Sequence, residues 1–344
     1  MLWQALRDVT ERSKIPIEAR DGGIYLPEAD LWLDPSRKKA LAFVSHAHGD
    51  HFAPHEETIC SKPTGALVRE RFRKRGVYHE LDYGKVATVG SYEIEIFPAG
   101  HTLGSAQILV RRRSDGASLI YTGDFKTREG LTAEPTEVRQ ADTLIMETTF
   151  GLPKYEFPSL ADVREQVLVF CEDALAERRV PVLLGYSFGK AQEIMAMLNG
   201  TDHELVIYPT VEKLMGVYVR FGFEFPAYEV FELGMDLAGK VLVMPPMGRK
   251  HNPLADTKGL RRAMFSGWGI DPSAKYRYGV DEVFPLSDHA GYTDLVEFVR
   301  AVDPVQVLTT HGYVGEFARD LRRLGIEAWS LKGTDQLELG LDFD

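Results

Sequence analysis

Six consecutive residues, His46-Ala47-His48-Gly49-Asp50-His51, carry four side chains that can bind a metal. Neutral imidazole nitrogens beside an anionic carboxylate suit Zn²⁺ or Mn²⁺. If the chain is extended at His46 and His48, both point to one side, because alternate residues of a strand share a face. Asp50 and His51 follow the turn at Gly49 and can face a second ion. One ion then needs a further histidine and a shared carboxylate. His101, in Ala99-Gly100-His101-Thr102-Leu103-Gly104, and Asp124, in Thr122-Gly123-Asp124-Phe125, are the candidates. A run of surface histidines without metal is the bland alternative. Four ligand-type residues at this spacing, directly after an apolar strand, argue against it.

Short strands must position these groups. Residues 40–45 are apolar and end in the histidine motif, and residues 92–97 alternate with Ile94 and Ile96 on one side. Residues 105–110 and 117–122 read as a pair joined at Asp115-Gly116, and residues 143–146 as a buried strand. All but 105–110 are expected to present a polar residue just past their ends: His46, His101, Asp124 and Glu147. Such strand ends are where a rigid scaffold usually holds its chemistry. From residue 158 the pattern becomes α/β. A helix is expected over 160–177, then a strand at 180–184, a turn at 185–190 and a helix over 191–198. Strands at 206–208 and 241–244 flank a helix from Val211. Strand-end chemistry returns with 283–286 leading to Asp288-His289, a helix over 294–301, and 305–309 leading to His311. One site assembled from both ends of the chain, with an α/β module inserted between them, is the expected organisation.

Composition limits the classes. The chain has 344 residues, a formal net charge of −11 and 44% apolar residues, ordinary for a soluble protein of one large or two coupled domains. Cys60 and Cys171 are the two cysteines, far apart and without metal-ligand spacing, so a reducing compartment is expected. The segment from Met1 to Lys14 mixes charges with Trp3 and Leu6 and does not read as a signal peptide. No stretch reaches the roughly 20 apolar residues of a membrane span. A cytoplasmic protein with no membrane partner is expected. The negative charge opposes nucleic-acid binding, but Arg69, Arg71, Arg73, Lys74 and Arg75 cluster, as do Arg111–Arg113 and Arg249-Lys250. Bound divalent ions would also invert the local potential.

With these motifs in view, the chain resembles the metallo-β-lactamase superfamily, in which the six-residue histidine motif marks a two-metal hydrolase. Glu147 in Met146-Glu147-Thr148-Thr149, His289 in Ser287-Asp288-His289-Ala290-Gly291 and His311 in Thr309-Thr310-His311-Gly312 look like motifs A, B and C of the β-CASP nucleases. Longer segments resemble bacterial ligase-associated DNA exonucleases: Gly23-Ile24-Tyr25-Leu26-Pro27, Thr149-Phe150-Gly151-Leu152-Pro153, Tyr186-Ser187-Phe188-Gly189-Lys190-Ala191-Gln192, Ser266-Gly267-Trp268, Phe284-Pro285-Leu286-Ser287-Asp288-His289-Ala290 and Thr310-His311-Gly312-Tyr313.

The resemblance implies an α/β fold, a metallo-β-lactamase αββα sandwich (residues 1–157 and 282–344) with an inserted α/β β-CASP domain (158–281). It implies two divalent ions, one held by His46, His48 and His101, the other by Asp50, His51 and His311, with Asp124 bridging. Asp34, in Trp32-Leu33-Asp34-Pro35, is implied to orient a ligand histidine. The implied reaction is phosphodiester hydrolysis. Two ions carry four positive charges, and Asp50 and Asp124 remove two, leaving about +2 for a hydroxide and a phosphodiester. His289, oriented by Glu147, is the candidate general acid, with a ligand role as its alternative.

The turn at 185–190 offers Ser187 and Lys190 as phosphate contacts, although its Gly-x-x-x-Gly-Lys-Ala spacing is not a P-loop. Ser266 and Trp268 are candidates for backbone passage and base stacking, and His251 for a phosphate. His55, His79 and His203 read as structural or surface residues. The leading function is a DNA exonuclease in repair, acting on single strands or strand ends beside a ligase and a helicase. A histidine at motif C resembles the RNA-acting branch, so RNA is the alternative substrate. A lactamase- or thioesterase-like hydrolase and a non-catalytic binding module are the further alternatives.

Overall fold

The computed structural model describes residues 14–73 and 76–331. The amino-terminal segment before Lys14, Lys74 and Arg75 of the basic cluster, and residues 332–344 lie outside the described residues. The chain divides into two compact units. Of the described residues, the first takes those up to Arg128, Glu134–Lys154 and residues 290–331, and the second takes Glu129–Ala133 and Tyr155–His289. Strands and helices are numbered along the whole chain.

The first unit has two sheets. One contains β1 (Glu18–Arg20), β2 (Gly23–Leu26), β3 (Leu31–Leu33), β4 (Leu41–Phe43), β5 (Glu57–Ser61) and β6 (Val77–Leu81), in that spatial order. The other contains β7 (Val86–Val89), β8 (Tyr92–Pro98), β9 (Ala106–Arg112), β10 (Ser118–Tyr121), β11 (Thr143–Thr148), β18 (Gln306–Gly312) and β19 (Ala328–Ser330), ordered β19-β18-β11-β10-β9-β8-β7. Period-2 alternation decides what each face buries. Tyr92, Ile94, Ile96, Ile108, Val110, Leu119, Tyr121 and Ile145 face Ile24, Leu26, Leu31, Leu33 and Phe43 of the first sheet in one core. The intervening Phe97, Leu109, Ile120, Leu144 and Met146 point the other way, onto α6 (Tyr292–Val302) and α7 (Val314–Arg323). Helix α1 (Lys62–Phe72) lies beside the first sheet, with the Ser61 side chain capping Thr64 N–H at 3.1 Å. The layers are therefore helix, sheet, sheet, helix.

The second unit is built on a six-stranded parallel sheet. It contains β12 (Val180–Leu184), β13 (Glu204–Ile207), β14 (Tyr228–Val230), β15 (Lys240–Met244), β16 (Leu260–Phe265) and β17 (Glu282–Phe284), ordered β14-β13-β15-β12-β16-β17. Parallel strands are buried on both faces, which accounts for the unbroken apolar runs at 180–184 and 241–244. Helices α2 (Leu160–Ala176), α3 (Lys190–Met197) and α4 (Pro209–Arg220) cover one face through Val167, Phe170, Ile194 and Met215. A short α5 (Ala274–Tyr278) follows β16. Among the described residues no helix is long and apolar enough to cross a membrane.

The expected pair at 105–110 and 117–122 is the antiparallel pair β9–β10, and the helix expected over 160–177 is α2. Two strands differ in a way that matters for chemistry. β11 continues through Thr148, so Glu147 sits inside it rather than past its end. β18 likewise runs on to Gly312 and includes His311. The β11–β18 register pairs Glu147 with Thr310 but Thr148 with Gly312, leaving His311 as an extra residue in a bulge. His311 accordingly has φ +56°. A bulge re-aims a side chain that regular pleating would have sent elsewhere.

Candidate metal centre

β4 stops at Phe43, and the chain runs on past the end of β3. Asp34, at that end, donates its N–H to the Phe43 carbonyl at 2.9 Å. Its carboxylate takes the Ser45 N–H at 2.7 Å, which fixes the backbone just before His46. His46 is fully buried. Its Nε2 lies 2.9 Å from Nδ1 of His48, and that Nδ1 lies 3.1 Å from Nε2 of His101. These three ligand atoms lie within 4.8 Å of one another. His101 arrives from the β8–β9 turn, where Ser105 Oγ accepts the backbone N–H groups of His101 and Thr102 at 3.0 and 3.2 Å. Gly100 has φ +77°, and a Cβ there would meet the Lys126 carbonyl oxygen at 2.2 Å, so this approach excludes other side chains.

Asp124 Oδ2 lies 3.2 Å from His51 Nε2, 3.7 Å from His46 Nε2 and 4.0 Å from His101 Nε2. One carboxylate oxygen thus serves both histidine groups. The tautomers follow from the next layer of bonds. Asp34 Oδ2 accepts from His51 Nδ1 at 2.8 Å, from Tyr121 O–H at 2.9 Å and from Ser45 O–H at 2.5 Å. With the Nδ1 proton committed to Asp34, the neutral His51 ring aims its Nε2 lone pair at the Asp124 carboxylate. Ser45 O–H is also committed to Asp34, so its oxygen accepts from His46 Nδ1 at 3.0 Å. That sends the His46 Nε2 lone pair inward. The His51 Nε2 lone pair and the Asp124 carboxylate then face one another as acceptors at 3.2 Å, which needs a proton or a metal ion between them.

The electrostatics agree with that need. Burial, helped by the positive fields of neighbouring histidines, holds His46 and His48 well below the usual histidine pKa, so both are neutral donors. Burial also opposes a charge on His51, but the Asp124 and Asp34 carboxylates outweigh it and push its pKa well up. A proton there occupies the place a metal would take. Two neutral imidazoles, the neighbouring His101, a fourth ring fixed by Asp34 and a shared carboxylate therefore fit divalent metal by donor type.

Asp34→Asn should lower metal affinity about 10- to 100-fold, read by competition with a chromogenic chelator. Unchanged affinity would show that Asp34 does not orient His51.

Asp50 and His311 complete the neighbourhood of His51. Asp50 Oδ2 is 3.6 Å from His51 Nε2, on a side chain 61% exposed. The His311 and His51 ring centroids are 5.7 Å apart. Thr148 Oγ1 donates to the His311 carbonyl at 2.6 Å and clamps the bulge. Glu147, 1% exposed, accepts the Phe125 N–H at 3.0 Å and the Thr149 N–H at 3.1 Å, with the Thr149 hydroxyl as a further donor. It therefore ties down the residue that follows Asp124, while the next residue, Thr148, grips His311. Gly123 has φ +56°, and a Cβ there would lie 2.5 Å from Ser45 Oγ.

His289, Ser187, Lys190 and Ser266 belong to the second unit. His289 N–H donates to Ser287 Oγ at 3.0 Å. Lys190 is buried and gives its ammonium to the Leu286 carbonyl at 2.7 Å and to Asp288 at 2.6 Å. Ser187 Oγ meets Thr210 Oγ1 at 3.0 Å, and Ser266 Oγ meets the Tyr278 hydroxyl at 3.2 Å and caps Trp268 N–H. Trp268 meets Tyr155 edge-on at 5.7 Å. His55 is buried, its pKa pulled down to about 4 by burial, and accepts the Lys39 N–H. His79 pairs with Glu57 at the surface, and His203 and His251 stand outside the cluster.

The side chains of Ser45, Tyr121 and Thr149 have no role in the sequence reading. Ser45 does precede the motif, but a hydroxyl carries no spacing signal. Tyr121 is buried in the alternating pattern of β10 and reads as core.

Residues 29–182 match a family model described as a β-lactamase superfamily domain. A protein named probable DNA ligase, from Opitutus terrae, is 45% identical over 320 residues, 93% of this chain and 31% of that one. A protein named DNA cross-link repair protein SNM1, from Arabidopsis thaliana, is 24% identical over 303 residues, 78% of this chain and 60% of that one. The chain thus spans less than two thirds of the length of these relatives. A crystal structure of a protein of unknown function from Enterococcus faecalis aligns with a TM-score of 0.57 at 15% identity, covering 79% of this chain and 75% of that one, a likeness of fold.

Proposed function

The chain carries a metallo-β-lactamase domain, and from that premise we propose that it is a two-metal nuclease hydrolysing phosphodiester bonds of DNA, of the β-CASP type and exonucleolytic, at work in DNA repair. The observation that carries the reading is the convergence of His46, His51 and His101 on the single carboxylate of Asp124, with His48 set between His46 and His101. The relatives named for DNA ligation and cross-link repair support DNA as the polymer.

Zn²⁺ or Mn²⁺ would be held by His46, His48 and His101 on one side and by Asp50, His51 and His311 on the other, with Asp124 shared. When bound, such ions make a water acidic enough to attack near neutral pH and neutralise the phosphoryl oxygens. The protein's own groups do the rest. Asp34 keeps the His51 proton on Nδ1, so Nε2 stays a donor to the centre. Glu147 and Thr148 hold Asp124 and His311 in place through the backbone. In the reaction a water oxygen bonds to phosphorus, the bond from phosphorus to the leaving sugar oxygen breaks, and that oxygen needs a proton. His289 is the proposed source, on the sequence resemblance. The bare phosphodiester is anionic, so the excess positive charge of a loaded centre selects it over neutral esters or amides.

RNA is the second reading, favoured by His311 in motif C. Digestion of matched 5′- and 3′-labelled DNA and RNA strands separates the two. The expected result is metal-dependent loss of DNA, abolished by chelation, and faster than RNA. RNA cleavage faster by orders of magnitude sinks the DNA assignment, and turnover of thioesters or β-lactams without nucleic-acid cleavage sinks the nuclease. In the same assay His289→Ala should lower kcat about 10²- to 10⁴-fold with metal content unchanged. Loss of metal in that variant would make it a ligand instead.

A further inference from the structure

The second unit contains a cavity of about 300 Å³ on the sheet face opposite α2, α3 and α4. Its origin is in the sheet. A parallel sheet needs cover on both faces, and here the face opposite α2, α3 and α4 is covered by irregular chain carrying Phe231, Leu237 and Leu254. Loops pack less regularly than a helix, and a space remains. Val182 and Leu184, alternate residues of β12, form its floor, and Met244 continues that floor because it pairs with Leu184 across β12–β15. Arg262 pairs with Val182 across β12–β16, which places one half-buried guanidinium among apolar neighbours. It donates Nη2 to the Leu254 carbonyl at 3.0 Å, and a guanidinium has five N–H donors in all.

The rim adds a second guanidinium. Arg249 lines the cavity from the loop Gly248-Arg249-Lys250-His251, whose basic residues are all exposed. Its partner is Asp256 at 2.8 Å, with side chains 83% and 82% exposed. A pair so open to water holds weakly and yields to a better anion. Asn252 and Tyr278 supply neutral polar groups, and among the described residues no carboxylate lines the cavity.

This combination selects its ligand. Two guanidiniums repel cations and favour phosphate, which they can bind in a fork. Inorganic phosphate alone would leave the apolar floor unused. The volume is at the low end for ligand sites, too small for a duplex and adequate for one base with its sugar. We propose that this cavity binds a single nucleotide unit, base against Val182, Leu184 and Met244, phosphate between Arg249 and Arg262. The proposal rests on the nuclease reading only for its source, a residue of the substrate strand or a released mononucleotide.

The test is calorimetric titration of the full chain in excess EDTA, which removes metal-mediated phosphate binding. The probes are dAMP, deoxyadenosine and inorganic phosphate, with a short single-stranded oligonucleotide followed by fluorescence anisotropy. dAMP should bind saturably below about 1 mM, with deoxyadenosine and phosphate each at least about tenfold weaker. Arg249→Glu, an exposed change that leaves the sheet untouched, should weaken dAMP about tenfold. If the oligonucleotide shows the same loss, the occupant is the strand; if the mononucleotide alone does, it is the product. No saturable dAMP binding up to about 10 mM, equal binding of phosphate and dAMP, or indifference to Arg249→Glu overturns the site. Metal-dependent cleavage is measured separately. A protein that cleaves DNA without binding dAMP keeps the nuclease reading and loses this one.

Discussion

Asp124→Ala is expected to bind neither ion tightly and to lose phosphodiester cleavage. No other described carboxylate oxygen stands within 4.0 Å of His46, His51 and His101 together. Removing it deprives both halves of the centre of their shared anion, and the four neighbouring imidazoles cannot supply one. The metal contribution to charge stabilisation is several kcal/mol. At about 1.4 kcal/mol per decade, the loss is about 10³- to 10⁴-fold in kcat/KM. The fold should survive, because Asp124 belongs to neither apolar cluster of its unit, and a thermal melt in chelator should match that of the wild type in chelator. A variant that retains both metal and activity would remove Asp124 from the centre.

Chelation is expected to lower the melting temperature markedly. Without metal, His51 aims its Nε2 lone pair at the Asp124 carboxylate inside a buried cluster, and the two carboxylates beside it favour a proton there instead. Metal binds the folded arrangement and not the unfolded chain. At a free concentration about 1,000-fold above Kd this adds about 4 kcal/mol. For a unit of this size each kcal/mol moves Tm by about 2–4 °C, so EDTA should lower Tm by about 8–16 °C. The check is differential scanning calorimetry with and without EDTA, with Zn²⁺ or Mn²⁺ added back. The Asp124→Ala melt should be insensitive to EDTA. A wild-type melt indifferent to chelation would contradict a preformed metal cluster.

The parts of this site that were legible in the sequence are those carried by residue type at close spacing. His46, His48, Asp50 and His51 fall within six residues, and the alternation of β8 and the apolar pair β9–β10 joined at Asp115-Gly116 mark the strands that bring His101 and Asp124 to them. Other parts depend on pairing between distant strands. The bulge that frees His311 exists because β11 and β18 lose register after Glu147, and no local pattern in Thr309-Thr310-His311-Gly312 announces it. Asp34 bonds His51 directly, and the Ser45 and Tyr121 hydroxyls hold its carboxylate, at the end of a three-residue strand too short to show periodicity. The same brevity hides β1 and β2. Lys190 shows the opposite case. Its position after a glycine turn suggests phosphate, whereas the fold gives its charge to Asp288.

The central claim is that His46, His48, Asp50, His51, His101, Asp124 and His311 form one centre for two ions. Metal stoichiometry measures it most directly. The purified chain, stripped with chelator, reloaded with Zn²⁺ or Mn²⁺ and dialysed, should retain two equivalents by elemental analysis. His48→Ala should retain no more than one and Asp124→Ala close to none. No retained metal in the wild type, or two equivalents in Asp124→Ala, would contradict the account.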